Sequence, residues 1–185
     1  RGRAKNSRAV SIGGSLSIES LSGKSCIKFS GSNSNTGNTT NGRIITGITP
    51  FGLTDYTLET WCAYTPDSQG GARIFEIGTS NSNRSTILPK ASSFNGSLYL
   101  NNVDRGAITE NYFDSILRHH CIMRRNGITA YYVDGVKKVE TTNSINMLES
   151  RIVLGTAWSF NGPFRGYIQS LRVTKTARYA QAGFI

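Results

Sequence analysis

The chain has 185 residues, enough for one domain with a substantial apolar core, and it contains no apolar run near the ~18 residues of a membrane span. Glycine is frequent, at 20 residues, and proline is scarce, at 4, in a sequence rich in serine, threonine and asparagine; this composition favours short strands joined by tight turns over helices. The formal net charge is +10, and no apolar stretch follows the basic N-terminus, so no signal peptide is predicted.

Positive charge is concentrated at the start of the chain. The first eight residues include Arg1, Arg3, Lys5 and Arg8, and no acidic residue precedes Glu19. Such a segment is either a solvated basic arm or an arm that docks on an acidic protein partner. The other bases are spread over predicted strands and turns, without the basic and aromatic face of a nucleic-acid platform. Nucleic acid is therefore not an expected partner.

Residues 1–22 predict an N-terminal arm, because they are polar and rich in glycine and serine, with only weak alternation of apolar side chains. The folded domain is predicted to cover residues 23–185. It begins with a short strand near Lys24. Residues 31–42, which are almost wholly small and polar, predict a loop.

A clear strand is predicted over residues 55–65, with the sequence DYTLETWCAYT. Side chains of a strand alternate between its two faces. Leu58 and Cys62 therefore share one face with Tyr56, whereas Trp61 lies on the other face. A covering loop or a partner is then needed if Trp61 is to be buried.

Two turn signals organise the second half of the chain. Asn126-Gly127 and Asp134-Gly135 each lie between runs of β-forming residues, and two-residue Asn-Gly and Asp-Gly turns are strong hairpin signals. An antiparallel meander with positive φ at both turns is therefore predicted over residues 117–141. Further strands are predicted over residues 43–48, 73–78, 85–88, 97–101, 151–155 and 166–174.

About ten to twelve short strands without a long helix predict an all-β fold of two packed antiparallel sheets. The alternation predicts that the sheets enclose six side chains between them. These are Leu58, Ile122, Tyr132, Leu154, Ile168 and Leu171.

The three cysteines, Cys26, Cys62 and Cys121, form no CxxC pair and lie in apolar strand patterns. Buried free thiols are the favoured interpretation. One internal disulfide with an odd thiol, or a cross-link between subunits, are the alternatives.

The order and spacing of several segments resemble a known family. In chain order the segments are SCIKFSGS, DYTLETWCAY, ARIFEIG, LRHHCIMRRNGITAYYVDGVKKVET, RIVLGT and FRGYIQSLRVTKTARY. Over residues 24–185 they resemble the laminin-G-like, concanavalin A-like jelly-roll domains, especially those of bacteriophage structural proteins. The resemblance implies an antiparallel two-sheet jelly-roll sandwich.

The resemblance also implies a function. The chain is expected to be a non-enzymatic structural protein of a bacteriophage virion, either a capsid decoration or associated with the tail or its fibres. Its expected location is the virion, and its expected partners are other virion proteins and copies of itself. Because the fold also hosts lectins and glucanases, the alternative is a glycan-binding module that recognises a host surface polysaccharide. Neither a membrane partner nor a cofactor is expected.

No catalytic pattern opposes the non-enzymatic interpretation. Retaining glycosidases need two carboxyl groups about 5–5.5 Å apart, whereas Asp55 and Glu59 are four residues apart on one strand, roughly 13 Å. His119 and His120 are adjacent on a predicted strand and therefore face opposite sides, so they do not share a metal.

Some domains of the family bind calcium at the rim of the sandwich. The candidate ligands here are Asp104 with Asn101 and Asn102. Calcium takes about six to eight oxygen ligands, and this turn is poor in acids. Asx turns are the favoured interpretation, and no metal is predicted.

The segment 155–164, GTAWSFNGPF, is the candidate contact platform because it carries Trp158, Phe160, Asn161 and Phe164. Exposed aromatic rings beside amide groups are typical of glycan sites. The same rings also suit a plug at the end of the sandwich or a contact with a neighbouring subunit, where Trp and Phe are enriched. Trp61 is a further candidate of the same kind.

Overall fold

The computed structural model describes residues 10–30, 41–68, 71–78, 83–88, 96–159 and 162–180. Within these ranges the chain forms strands and turns, which confirms the predicted all-β class. The same ranges hold no helix of the length and hydropathy needed to cross a membrane. The strands are β1 (Val10–Gly13), β2 (Leu16–Leu21), β3 (Lys24–Phe29), β4 (Arg43–Gly47), β5 (Tyr56–Tyr64), β6 (Phe75–Ile77), β7 (Ser85–Leu88), β8 (Gly96–Leu100), β9 (Val103–Ile108), β10 (Arg118–Arg125), β11 (Ile128–Val133), β12 (Val136–Thr142), β13 (Arg151–Leu154) and β14 (Gly166–Thr174).

The strands form two seven-stranded sheets. The first sheet has the order β1-β4-β13-β6-β7-β8-β9, and the second has the order β12-β11-β10-β5-β14-β3-β2. All pairings are antiparallel. A single large apolar cluster draws on strands of both sheets, and two sheets that enclose one core form a sandwich. The predicted two-sheet architecture is confirmed.

Both predicted hairpin turns are present between strands β10, β11 and β12. Asn126 and Gly127 have φ of 51° and 75°, and Asp134 and Gly135 have φ of 48° and 79°. These left-handed values at both central positions match the right-handed twist of the flanking strands. Asparagine, aspartate and glycine adopt such values at low cost, which is why the sequence predicts these turns so clearly.

Four of the six predicted core residues are buried between the sheets, and Leu171 is partly buried against the same cluster. Tyr132 is the exception: it is fully buried, but in a separate cluster on the outer face of the second sheet. The hairpin register explains the difference, because Ile122 lies opposite Tyr131 and Cys121 lies opposite Tyr132. Directly opposed residues share a face, so Tyr131 faces the core and Tyr132 faces away from it.

The predicted boundary between arm and domain at residue 22 is too late. β1 is the edge strand of the first sheet and pairs with β4, while β2 is the edge strand of the second sheet and pairs with β3. Edge strands bury little of either face, so their apolar alternation is weak and resembles that of an arm. The sandwich therefore extends to Val10. Arg1, Arg3, Lys5 and Arg8 lie outside the described residues.

All three cysteines are buried free thiols, as predicted. Cys62 faces the core, whereas Cys121 belongs to the outer cluster that contains Tyr132. Burial raises the pKa of both thiols. They therefore stay protonated and pack as small apolar side chains.

Candidate functional site

A depression of about 920 Å³ lies on the outer face of the second sheet, opposite the core. It crosses the sheet from Lys24 on β3, over β14, β5 and β10, to Asp134 at the turn between β11 and β12. Adjacent strands are about 4.8 Å apart, so these four spacings correspond to roughly 19 Å. The depression is therefore a trough that suits an extended ligand.

Strand register brings side chains together on the floor of this trough. Trp61 on β5 lies directly opposite His119 on β10, and Glu59 lies directly opposite Arg172 on β14. Opposed residues share a face, and residues two apart on a strand do so as well. The alternation that sends Leu58 into the core thus places Glu59 and Trp61 side by side on the outer face.

Trp61 is the exposed aromatic ring of the trough. It is 42% exposed, and its ring centre lies 5.3 Å from the imidazole of His119, with the two planes inclined by 37°. As the alternation predicts, Trp61 lies on the face away from the core. The indole therefore offers an apolar surface to solvent from a position held by the neighbouring histidine.

Glu59 is a buried carboxylate in the same floor, 5% exposed. Its Oε1 lies 3.1 Å from Nε of Arg178 and 3.4 Å from Nη1 of Arg172. Its Oε2 accepts a hydrogen bond of 2.6 Å from the hydroxyl of Tyr179 and lies 3.0 Å from Nε2 of His119. Burial raises the pKa of Tyr179, which keeps this hydroxyl protonated as a donor. A buried charge requires such partners, so Glu59 holds the basic and aromatic side chains around it in place.

The chain that follows β14 folds back over the outer face and supplies one wall of the trough. The Thr57 hydroxyl donates to the carbonyl of Thr176 at 2.8 Å and accepts from the backbone N–H of Arg178 at 3.1 Å. Ala177 and Tyr179 pack against the outer apolar cluster. This cluster comprises Cys121, Met123, Ala130 and Tyr132. The returning segment thus explains both the burial of Tyr132 and the position of Tyr179 beside Glu59.

Phe164 is not a surface contact. It is fully buried, and its ring packs edge-on against Phe29 and Tyr64, with ring centres 5.7 and 5.0 Å away. Phe164 therefore closes the end of the sandwich, as the alternative interpretation of this segment predicts. Its candidacy as a glycan or partner contact is therefore wrong, because an apolar ring next to two others is more stable inside the sandwich than in water.

The other residues of that loop have a separate arrangement. Trp158 is partly buried, and its backbone N–H donates to Oε1 of Glu76 at 2.8 Å. Oε2 of Glu76 lies 2.9 Å from Nε of Arg73, and both side chains are buried. The loop is therefore anchored to a buried ion pair on the first sheet. Phe160 and Asn161 lie outside the described residues, so their candidacy stays a prediction.

The calcium candidates belong to a hairpin turn. Asn101 and Asn102, with φ of 52° and 61°, connect β8 to β9. Oδ1 of Asn102 accepts from Nε of Arg84 at 2.8 Å, and Oδ1 of Asp104 accepts from the Ser97 hydroxyl. Oδ1 of Asp104 also accepts from the backbone N–H of Gly106 at 3.0 Å, two residues further along the chain, and this local contact is an Asx turn. Over the ranges given above, His, Cys, Asp and Glu side chains form no group of three that suits a metal ion.

The two adjacent histidines face opposite sides of β10, as predicted. His119 faces the trough, whereas His120 is buried on the core side with Nδ1 2.6 Å from the hydroxyl of Tyr131. The two imidazoles therefore have separate roles. One contributes to the surface of the trough, and the other is part of the interior.

Carboxylates in and near the trough are occupied by structural contacts. Asp134, which lines the trough with Glu59, accepts a hydrogen bond of 2.8 Å from the backbone N–H of His119. Asp55 accepts a hydrogen bond of 2.9 Å from the backbone N–H of Asn126. These contacts stabilise turns.

Sequence reasoning identified Trp61 but missed its companions. The sequence patterns present Glu59 only as a potential acid and His119 only as a potential metal ligand, and they point to neither Arg172 nor Tyr179. The alternation of β5 contains a signal, because it places Glu59 and Trp61 on one face. The pairing of β5 with β10 and β14 has no local signal, since those strands are distant in sequence.

Solved structures of the same architecture match this chain at low identity. One is domain 4 of AbnA, an extracellular arabinanase from Geobacillus stearothermophilus, solved in complex with arabinotriose. It matches with a TM-score of 0.72 at 16% identity, and the match covers 92% of this chain and 82% of the AbnA domain chain. Cip1, a cellulose-induced protein, has a TM-score of 0.62 at 12% identity and covers 95% and 94%. Such identities establish the fold alone.

A toxin structure also matches. Botulinum neurotoxin type C, whose cell entry is described as dependent on interaction with two ganglioside molecules, has a TM-score of 0.64 at 11% identity. The match covers 94% of this chain but 44% of the toxin chain. This chain thus corresponds to less than half of that protein. No curated protein matches the sequence.

A sequence profile confirms the relationship that the segments and the two-sheet fold indicate. The profile of the concanavalin A-like lectin/glucanases superfamily matches residues 30–182, which is most of the chain. The match includes strands from both sheets and all of the trough except Lys24. The chain belongs to the concanavalin A-like lectin/glucanases superfamily.

Proposed function

We propose that the domain binds glycan chains in the trough and does not cleave them. The observation that carries this proposal is the exposed ring of Trp61 beside His119, in an open trough with charged and polar side chains around it. A sugar ring has an apolar C–H face and hydroxyl groups at its edge. An exposed indole supports the face, while neighbouring polar groups reach the hydroxyls, and ligand sites generally combine these two elements.

The shape of the trough agrees with a chain of sugars. Its length of roughly 19 Å, estimated from strand spacing, exceeds that of one sugar ring. Gln169 and Ser170 add amide and hydroxyl groups along the β14 side. An oligosaccharide lying across the strands would therefore meet an aromatic platform at its centre and polar groups at its edges.

Binding without cleavage is favoured by the state of the two carboxylates. A glycosidase uses one carboxyl group as an acid and a second as a base or nucleophile. Both oxygens of Glu59 are held by cations and hydrogen-bond donors, and Asp134 caps the backbone of His119. With both oxygens of Glu59 engaged, the residues that line the trough provide no pair of free carboxyl groups for such a mechanism.

The similar structures support a sugar as the ligand class at the level of fold. One is described as a complex with arabinotriose and another as dependent on gangliosides for cell entry. These ligands are properties of those proteins. For this chain they make a carbohydrate the first class of ligand to test.

Replacing Trp61 by alanine is expected to weaken glycan binding about thirty-fold, because a central aromatic anchor typically contributes about 2 kcal/mol. Titration calorimetry with a polysaccharide selected on a carbohydrate array measures the effect. Thermal unfolding should change little, since Trp61 is already partly exposed.

Trp158→Ala is the matched control, because Trp158 lies in segment 155–164, the other candidate contact surface. Its replacement should leave the affinity within about two-fold, as for a residue outside the contact. Loss of binding in Trp158→Ala with full binding in Trp61→Ala would move the site to the loop and contradict the proposal.

The second candidate function is attachment to a bacteriophage particle through the edge strands and the basic residues that precede β1. Val10 and Ile12 on β1 are 56% and 68% exposed, and Ile18 on β2 is 83% exposed. Apolar side chains exposed along sheet edges are typical of protein interfaces. Together with the resemblance to phage structural proteins, they favour a virion location in which neighbouring proteins or further copies of the chain cover these edges and the trough stays open.

Removing residues 1–9 is expected to leave the sandwich folded, because β1 begins at Val10, and to weaken binding to the particle. The deletion removes four positive charges that would contact an acidic partner. Salt screens such contacts over about 8–10 Å at physiological concentration, so high salt should also weaken the binding of the full chain. Co-sedimentation with particles at low and high salt measures the effect. Replacement of Arg1, Arg3, Lys5 and Arg8 by glutamine removes the same charges without shortening the chain, so it should weaken binding to a similar extent. Equal incorporation of the full and shortened chains would exclude the arm as an anchor.

A further inference from the structure

We infer that the glycan bound in the trough is anionic, with its charged group at the β3–β14 end. This inference rests on the proposed glycan-binding function and specifies the class of sugar. The observation is an excess of positive charge around Glu59. Arg172 and Arg178 both pair with this one carboxylate, and Lys24 lines the same end of the trough.

Arg172 has N–H donors that its single contact with Glu59 leaves unused. Its side chain is 56% exposed, and its contact with Glu59 is a long one, at 3.4 Å through Nη1. Glu59 is meanwhile held more closely by Arg178, His119 and Tyr179. A guanidinium has five N–H donors in a planar fork that matches a carboxylate or sulfate. Arg172 therefore has donors to offer a ligand while Glu59 stays paired.

Lys24 adds a second positive charge on the neighbouring strand. It is exposed, and among the residues that the structure describes it forms no ion pair. An ammonium group at the edge of the trough attracts an anion without a fixed geometry. Arg172 would then orient the charged group of the sugar, and Lys24 would strengthen the local field.

The opposite end of the trough has the opposite charge. Asp134 lies there with its side chain 51% exposed, and its ion pair with Arg118 spans 4.0 Å. A carboxylate at that end repels an anionic substituent, whereas the hydroxyls of a neutral sugar suit it. The trough thus favours a chain whose acidic sugar lies over β3 and β14 and whose neutral part extends past Trp61.

The test uses the full chain on an array of polysaccharides, each printed in its native acidic form, in a carboxyl-reduced form and, where available, in a sulfated form. We expect binding to a native acidic polysaccharide that falls at least ten-fold on carboxyl reduction, on Arg172→Gln and at high salt. Lys24→Gln should have a smaller effect in the same direction. Arg105→Gln, which removes a charge from the first sheet, should bind like the parent chain.

The outcomes separate this inference from the proposed function. Equal binding of native and carboxyl-reduced forms, lost in Trp61→Ala, would overturn the anionic ligand and retain the glycan site. Binding of sulfated but not carboxylated forms would assign the charged group to sulfate. An equal loss in Arg105→Gln would mean that overall charge, not this end of the trough, attracts the ligand. Absence of binding to every glycan would overturn both.

Discussion

Between about pH 6.5 and pH 4, the domain is expected to lose stability faster than its His120→Gln variant. Burial, with smaller contributions from Arg118 and His119, lowers the pKa of His120 from 6.5 to about 3. Below pH 6.5 the unfolded chain binds a proton at this imidazole and the folded chain does not. Stability therefore falls as the pH falls, by up to about 1.4 kcal/mol per pH unit, or on the order of 3 kcal/mol over this range.

Urea unfolding at a series of pH values measures the effect. Carboxylates whose pKa is lowered in the folded state, such as Asp114 beside Arg118, also cost stability in acid, but they are present in both proteins and cancel in the comparison. Parallel stability curves for the two proteins would contradict the prediction. A proton titration of His120 by nuclear magnetic resonance provides a check without any substitution, since the imidazole should remain neutral at pH 5.

Replacing Glu76 by glutamine is expected to destabilise the fold by about 3–5 kcal/mol, the range seen when one partner of a buried ion pair is removed. Glu76 is completely buried, and Nε of Arg73 lies 2.9 Å from its Oε2 without the alignment of a hydrogen bond. The contact is therefore mainly electrostatic. Glutamine has nearly the same shape and can still accept from the backbone of Trp158, but it leaves the guanidinium of Arg73 buried without a counter-charge.

Glu140→Gln is the matched control for this substitution. Glu140 pairs with Lys137 at 2.7 Å, but both side chains are about two-fifths exposed, and exposed pairs contribute roughly 0–1 kcal/mol. Midpoints of urea unfolding at neutral pH compare the two variants with the parent chain. If both substitutions cost the same, the pair beneath the Trp158 loop is not a principal support of the first sheet.

Sequence alone was sufficient for the features that depend on neighbours in the chain. The turns at Asn126-Gly127 and Asp134-Gly135 are determined by residues that accept positive φ, and the faces of β5 follow from alternation of side chains. The same register rule, applied to the Asn126-Gly127 turn, would have placed Tyr131 rather than Tyr132 in the core. The sequence therefore contains the signal that places Tyr131 in the core, although the prediction named Tyr132.

Tertiary structure decided which faces meet and which stay open. The trough exists because β5 pairs with β10 on one side and β14 on the other, and because the chain after β14 returns to bring Tyr179 to Glu59. These contacts join residues more than 50 positions apart, as the separations of 60 for His119 and 120 for Tyr179 from Glu59 indicate. Local propensity does not encode such pairings, since they form only when burial of the whole core offsets the entropy of closing long loops. The sequence by itself therefore determined most of the strands, the hairpins and the side of β5 that carries Trp61. Only the packed sandwich decided that Phe164 is a plug, that Val10 begins a strand and that Trp61 shares a trough with His119 and Arg172.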